Sequence, residues 1–131
     1  MAKRPEEYRL VENGRAATVV GAGHKARVIA RRLDGFVEVL QLDDQGVRII
    51  GWAVEPAGPR PVDRIVVFDR GEMITQGRPT LPREGVAARY GASATRSGFQ
   101  VRGSSNTTRL DDVRVFAVAG NVATELPLLQ P

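Results

Sequence analysis

The chain contains no cysteine, one histidine and two lysines, and only 5% of its 131 residues are aromatic. Without cysteine there is no disulfide scaffold, thiolate zinc site, iron–sulfur cluster or cysteine nucleophile. The redox compartment stays open, because a cysteine-free domain tolerates either environment. With His24 alone, a multi-histidine metal site is excluded and a Ser-His-Asp triad has a single candidate base. Long apolar runs are also missing. Residues 1–10, MAKRPEEYRL, place charges where a signal peptide needs an apolar stretch of roughly 7–15 residues. No window approaches the roughly 18–20 apolar residues of a membrane span. The expectation is a soluble domain with no direct membrane insertion, no metal and no cofactor, which can nonetheless be a piece of a larger anchored protein.

What is present is an ordinary globular composition, 42% hydrophobic and 26% charged, with room for one compact core. Nineteen basic residues face fifteen acidic ones, for a formal net charge of +4. All the basic residues but Lys3 and Lys25 are arginine and they are widely scattered, which reads as the codon bias of a GC-rich genome more than as a surface for a polyanion.

Seventeen valines and five isoleucines cluster in short runs between turn residues, which is a strand signal. Asn13-Gly14 marks a hairpin between 8–11 and 16–20. Residues 36–42 and 47–55 make a second hairpin around Asp43-Asp44-Gln45-Gly46. In its return strand Val47, Ile49 and Ala53 share one face, and Arg48, Ile50, Trp52 and Val54 the other; Val37 and Val39 are expected to face one way. After a proline-rich connection at 56–61, residues 65–68 and 73–76 pair across Asp69-Arg70-Gly71-Glu72. Residues 81–90 (LPREGVAARY) predict a short helix, with Pro82 in its first turn and Gly91 as its stop. Strands follow at 99–102, 113–119 and 122–126, with the polar loop 103–108 as the expected flexible segment. Residues 25–33 (KARVIARRL) fit either a short basic helix or a strand. The fold class is mainly β: an antiparallel β-sandwich, Ig-like or jelly-roll-like, over 34–131 with one short helix, preceded by an extension at 1–33.

The chemistry-bearing patterns are weak. Gly21-Ala22-Gly23-His24-Lys25 fails the phosphate-loop spacing and lacks Ser or Thr after the lysine, so it reads as a turn with an exposed histidine. Asp43-Asp44 and Asp111-Asp112 are sequence neighbours whose side chains point apart, and they match no calcium-loop spacing. Lys25, Arg27, Arg31 and Arg32 form the densest basic cluster, but the interleaved aromatics of a single-strand binder are lacking. Trp52 reads as core, because it shares a face with Ile50 and Val54. A sugar site would use Arg78, Arg83, Tyr90 and the nearby loops, with Trp52 as the remaining candidate.

One series of residues carries a resemblance: Gly51-Trp52-Ala53-Val54-Glu55, Val66-Val67-Phe68-Asp69 with Gly71, Arg78-Pro79, Arg83, Val86-Ala87, Tyr90-Gly91 and Ser97-Gly98-Phe99. It resembles a small β-sandwich accessory module with a GWAVD…RPDVAAAYG…SGF pattern. Such modules are appended to bacterial cell-envelope proteins, including membrane-anchored sulfatase-like enzymes and glycosyltransferases. The resemblance runs from about Gly35 to Leu126. Glu55 replaces the usual Asp, and Glu84-Gly85 replaces Pro-Asp ahead of Val86. The resemblance implies a non-catalytic module in the extracytoplasmic envelope, whose partner is an envelope glycan or an adjoining domain of a larger membrane protein. Two other expectations stand beside it: a structural spacer or homodimerisation domain without ligand, and nucleic-acid binding through the Lys25–Arg32 cluster.

Overall fold

The computed structural model describes residues 7–21, 23–104 and 109–128; most of the polar loop expected to be flexible, at 105–108, lies outside them, as does Ala22. The strands are β1 (Tyr8–Asn13), β2 (Ala16–Gly21), β3 (His24–Val28), β4 (Asp34–Asp43), β5 (Gly46–Glu55), β6 (Arg60–Pro61), β7 (Arg64–Asp69), β8 (Glu72–Gly77), β9 (Gly98–Gly103), β10 (Val113–Ala119) and β11 (Val122–Glu125). One helix, α1 (Glu84–Tyr90), and two 3₁₀ turns complete the described chain. The protein is therefore mainly β with one short helix. The segment at 25–33 resolves as a strand, β3, followed by a turn. The helix starts at Glu84, later than the sequence suggests, because Arg83 is extended at φ −134° and its side chain offers no cap to the free N–H groups.

The strand order gives a closed seven-stranded barrel, β1-β2-β3-β11-β10-β7-β8, and a separate sheet in which β5 pairs with β4, β6 and β9. Local hairpins build most of it. The β7–β8 turn carries positive φ at both Arg70 (53°) and Gly71 (85°), the twist that joins antiparallel strands tightly. Two non-local contacts close the ring. β11 runs parallel to β3 (Val122↔Arg27, Ala123↔Val28), and β1 meets β8 at Arg9↔Glu72. Alternation of side chains cannot foresee closure, since sandwich and barrel strands share the same period of two.

Alternation along β7 and β10 explains how the two layers adhere. Ile65, Val67, Val113, Val115 and Ala117 point toward the separate sheet, where they meet Val47, Ile49, Ala53, Phe99 and Val101. Val66, Phe68, Phe116 and Val118 point into the barrel, onto Tyr8, Val19 and Ala26. The two strands are thus buried on both faces, which requires near-continuous apolar sequence, as VVF and VFAVA supply. Phe68 and Phe116 meet edge-to-face inside, with centroids 5.6 Å apart. The barrel interior is filled by side chains and is not a pore.

On the separate sheet, the two faces of β5 fall as the alternation requires, with Trp52 and Val54 on the side away from the barrel. β4 departs from it. A bulge shifts the register between Val37↔Gly51 and Val39↔Ile50, leaving Glu38 as the extra residue. The phase flips there, so that Leu40, not Val39, joins Val37 against the core.

Candidate functional site

The outer face of the separate sheet carries a group of three aromatic rings beside a cleft. Phe36 lies opposite Trp52 across β4 and β5. Trp52 sits between Phe36 and Tyr90, at centroid distances of 6.0 and 6.1 Å with tilted planes. Helix α1 crosses this face, burying Val86 against Trp52 and Val54 and delivering Tyr90 from its last turn. Trp52 is 9% exposed, so it is core, as its apolar neighbours on β5 imply, and yet its edge forms one wall of a cleft of about 330 Å³.

Charged groups rim that cleft. The Tyr90 hydroxyl donates to Asp34 Oδ2 at 2.7 Å. Burial, with this bond to the carboxylate, holds the phenol above its ordinary 10.0, so it stays a neutral donor. The Arg89 guanidinium lies 5.2 Å above the Tyr90 ring. Arg31 reaches the cleft from the turn between β3 and β4 and is exposed. Its φ is 61°, a conformation that costs a non-glycine residue roughly 1–2 kcal/mol. The turn is held from below. The buried Thr124 hydroxyl donates to Ile29 O at 2.7 Å and accepts from Leu33 N at 3.0 Å, bracketing Arg31. A left-handed arginine retained at the lip of a cleft by a buried clamp is the kind of strain that accompanies binding sites.

The four residues singled out from sequence separate into three places. Trp52 and Tyr90 line the aromatic cleft together. Arg83 is bound to Glu38, with Nη1–Oε1 at 2.5 Å and Nη2–Oε2 at 2.6 Å, so both prongs of its fork are engaged. Arg78 lies at one end of the barrel. The Arg78–Arg83 loop is therefore not a single surface. Asp34 and Arg89 are not among the residues the sequence singles out, and Arg31 is there only as part of the basic cluster with Lys25, Arg27 and Arg32. Arg89 next to Tyr90 at a helix end was readable, whereas the backbone of Arg31 depends on Thr124, some ninety residues away.

The carboxylates weighed for calcium do not converge on one site. Asp43 accepts from Arg102 Nη1 and from Gln45 N, which hold it below its ordinary 3.8. The Asp111 side chain is 89% exposed beside Arg109. Among the described residues no cluster of His, Asp and Glu could hold a metal ion, and no helix is long and apolar enough to cross a membrane. No protein-family model, curated protein or solved structure matches this chain.

Proposed function

We propose that the protein is a non-catalytic interaction module whose aromatic cleft takes an anionic sugar unit of a cell-envelope glycan. The observation carrying this reading is the convergence of the Trp52 edge and Tyr90 with two guanidiniums, Arg31 and Arg89, at one cleft. Aromatic surface suits the apolar face of a pyranose, and guanidinium forks suit carboxylate and sulfate groups. The series from Gly51 to Phe99, which resembles envelope accessory modules, supports the bacterial envelope as the setting. We read the packing of β4, β5 and β9 on β7 and β10 as the sandwich part of that module.

Calorimetric titration with uronate-containing or sulfated oligosaccharides tests the reading. Wild type binds saturably, and Arg89→Gln and Arg31→Gly each weaken binding roughly tenfold while the fold persists. No saturable binding to any acidic oligosaccharide overturns it and leaves a spacer or dimerisation domain.

One observation favours nucleic acid as a second reading. As a strand, β3 turns Lys25 and Arg27 outward together, and Arg9 shares the cross-strand row of Lys25 through Val20. Binding through that face falls steeply with salt; a flat response removes it.

A further inference from the structure

One end of the barrel gathers cations that the aromatic cleft does not use. The inward face of β7 reads Arg64, Val66, Phe68, so the apolar lining ends in an arginine at this mouth. The inward row of β1, β2 and β3 reads Tyr8↔Gly21↔His24 and ends in a histidine. Arg78 follows the end of β8 into the same opening, and Arg60 and Asp63 stand on its rim. The cleft so formed is about 540 Å³, larger than the aromatic one.

The charges here are not equally engaged. Arg60 bonds both Glu55 and Asp63. Asp63 also accepts the Gly120 N–H at 2.8 Å. Burial pushes Asp63 up, but the Gly120 N–H, Arg60 and Arg78 outweigh it and keep the carboxylate below its ordinary 3.8. Arg64 donates to the neutral Gln76 Oε1 at 2.6 Å. Neither Arg64 nor Arg78 has a bonded carboxylate among the described residues. His24 Nε2 is held against Gly120 O at 2.5 Å, which sets its ring at the opening. Two guanidiniums with no carboxylate bonded to them among the described residues, beside an imidazole, form a receptor for an oxyanion, and such mouths are a recurrent place for ligands in β-barrels.

From this juxtaposition we propose a second ligand site, at the barrel mouth, in which Arg64, Arg78 and His24 bind a phosphoryl group. Two forks match the several oxygens of a phosphate better than the two of one carboxylate, and the cleft opens to solvent, where a sugar or lipid-linked substituent would lie. The site stands independently of the aromatic cleft.

Chemical-shift titration of the full chain with inorganic phosphate, with glucose 1-phosphate and with glucuronate tests it. Saturable shifts at His24, Gly120 and the Arg78 side chain are expected with both phosphates. Tighter binding of the sugar phosphate identifies a phosphorylated glycan as the source, and equal binding identifies free phosphate. Arg78→Gln should weaken phosphate roughly tenfold or more, whereas Arg27→Gln on the outer barrel face should not change it. Arg64→Gln can disturb the Gln76 bond, so Arg78→Gln decides. The proposal is overturned by absence of saturable shifts at the mouth, by equal loss in Arg27→Gln, or by glucuronate binding as tightly as the phosphates.

Discussion

Glu38 and Arg83 meet as a two-pronged ion pair because a bulge aims the one and an extended residue before α1 aims the other. Without the extra residue in β4, the outer face of the strand would carry a different side chain at that place. The pair ties the edge strand of the separate sheet to the start of the helix, with Arg83 N donating to Thr95 O at 2.7 Å as a second tether. The Glu38 carboxyl is held below its ordinary 4.5, chiefly by the Arg83 side-chain bond working against burial.

A pH dependence follows with a definite sign. A carboxylate whose folded value is depressed stabilises the fold fully above its unfolded value and loses that contribution as pH falls through the folded value. With both side chains about a quarter to a third exposed, the pair is worth at most about 1 kcal/mol. Glu38→Gln should lower stability by that amount near neutrality and by nothing once the pH is well below 4.5. Urea denaturation of both proteins across this range measures the difference; a gap that persists in acid contradicts it.

Two glycine substitutions should act in opposite directions. A Cβ on Gly51 would lie 2.1 Å from Phe36 O and 2.9 Å from Phe99 Cζ, inside the paired sheet. Gly51→Ala should cost about 1–3 kcal/mol or more. Gly85 is exposed in α1 with nothing near its Cβ position, and Gly85→Ala should add about 0.5–1 kcal/mol. Thermal melts of the two variants give the signs directly.

Ser97 is fully buried and its hydroxyl has no hydrogen-bond partner among the described residues. Ser97→Ala removes a polar atom that gains nothing from burial, so stability should be unchanged or rise by about 1 kcal/mol. A loss above that, by chemical denaturation, would mean that the hydroxyl is bonded in solution.

Arg31→Gly should relieve the left-handed strain and raise stability by about 1 kcal/mol, even as it removes a cation from the aromatic cleft. A lower melting temperature would show that the arginine side chain stabilises the turn it occupies.

A chain beginning at Asp34 lacks β1, β2 and β3, three of the seven barrel strands. Phe68 and Phe116 would lose Tyr8, Val19 and Ala26 as cover. Poor dispersion of amide resonances, or aggregation, is the expected result; a well-dispersed spectrum would mean that the remaining sheets close by themselves.

Local structure was legible in the residues, and long-range structure was not. The hairpins at Asn13-Gly14 and Arg70-Gly71, the faces of β5 and the Gly91 stop could all be read from turn chemistry and alternation. The Glu38 bulge could not, because an added residue leaves no mark in the alternation until its partner strand is known. Nor could the parallel pairing of β3 with β11, which decides between helix and strand for the basic segment. At the cleft, Tyr90 and Trp52 were legible as aromatics, while the Thr124 clamp on Arg31 is a tertiary fact. The barrel mouth was partly within reach: the series Arg64, Val66, Phe68 places an arginine at the end of an inward row.

The parallel contact between β3 and β11 also orders events during synthesis. Val28 and Ala123 pair across a long stretch of chain, so β3 gains this neighbour only after β4 to β10 have been made. Until β11 pairs with it, β3 presents an open edge, a state that invites pairing with another chain. Closure comes late and carries a large loop-closure entropy. Closure of the barrel therefore waits on the C-terminal hairpin, whose Thr124 and Gly120 also hold the two clefts in place.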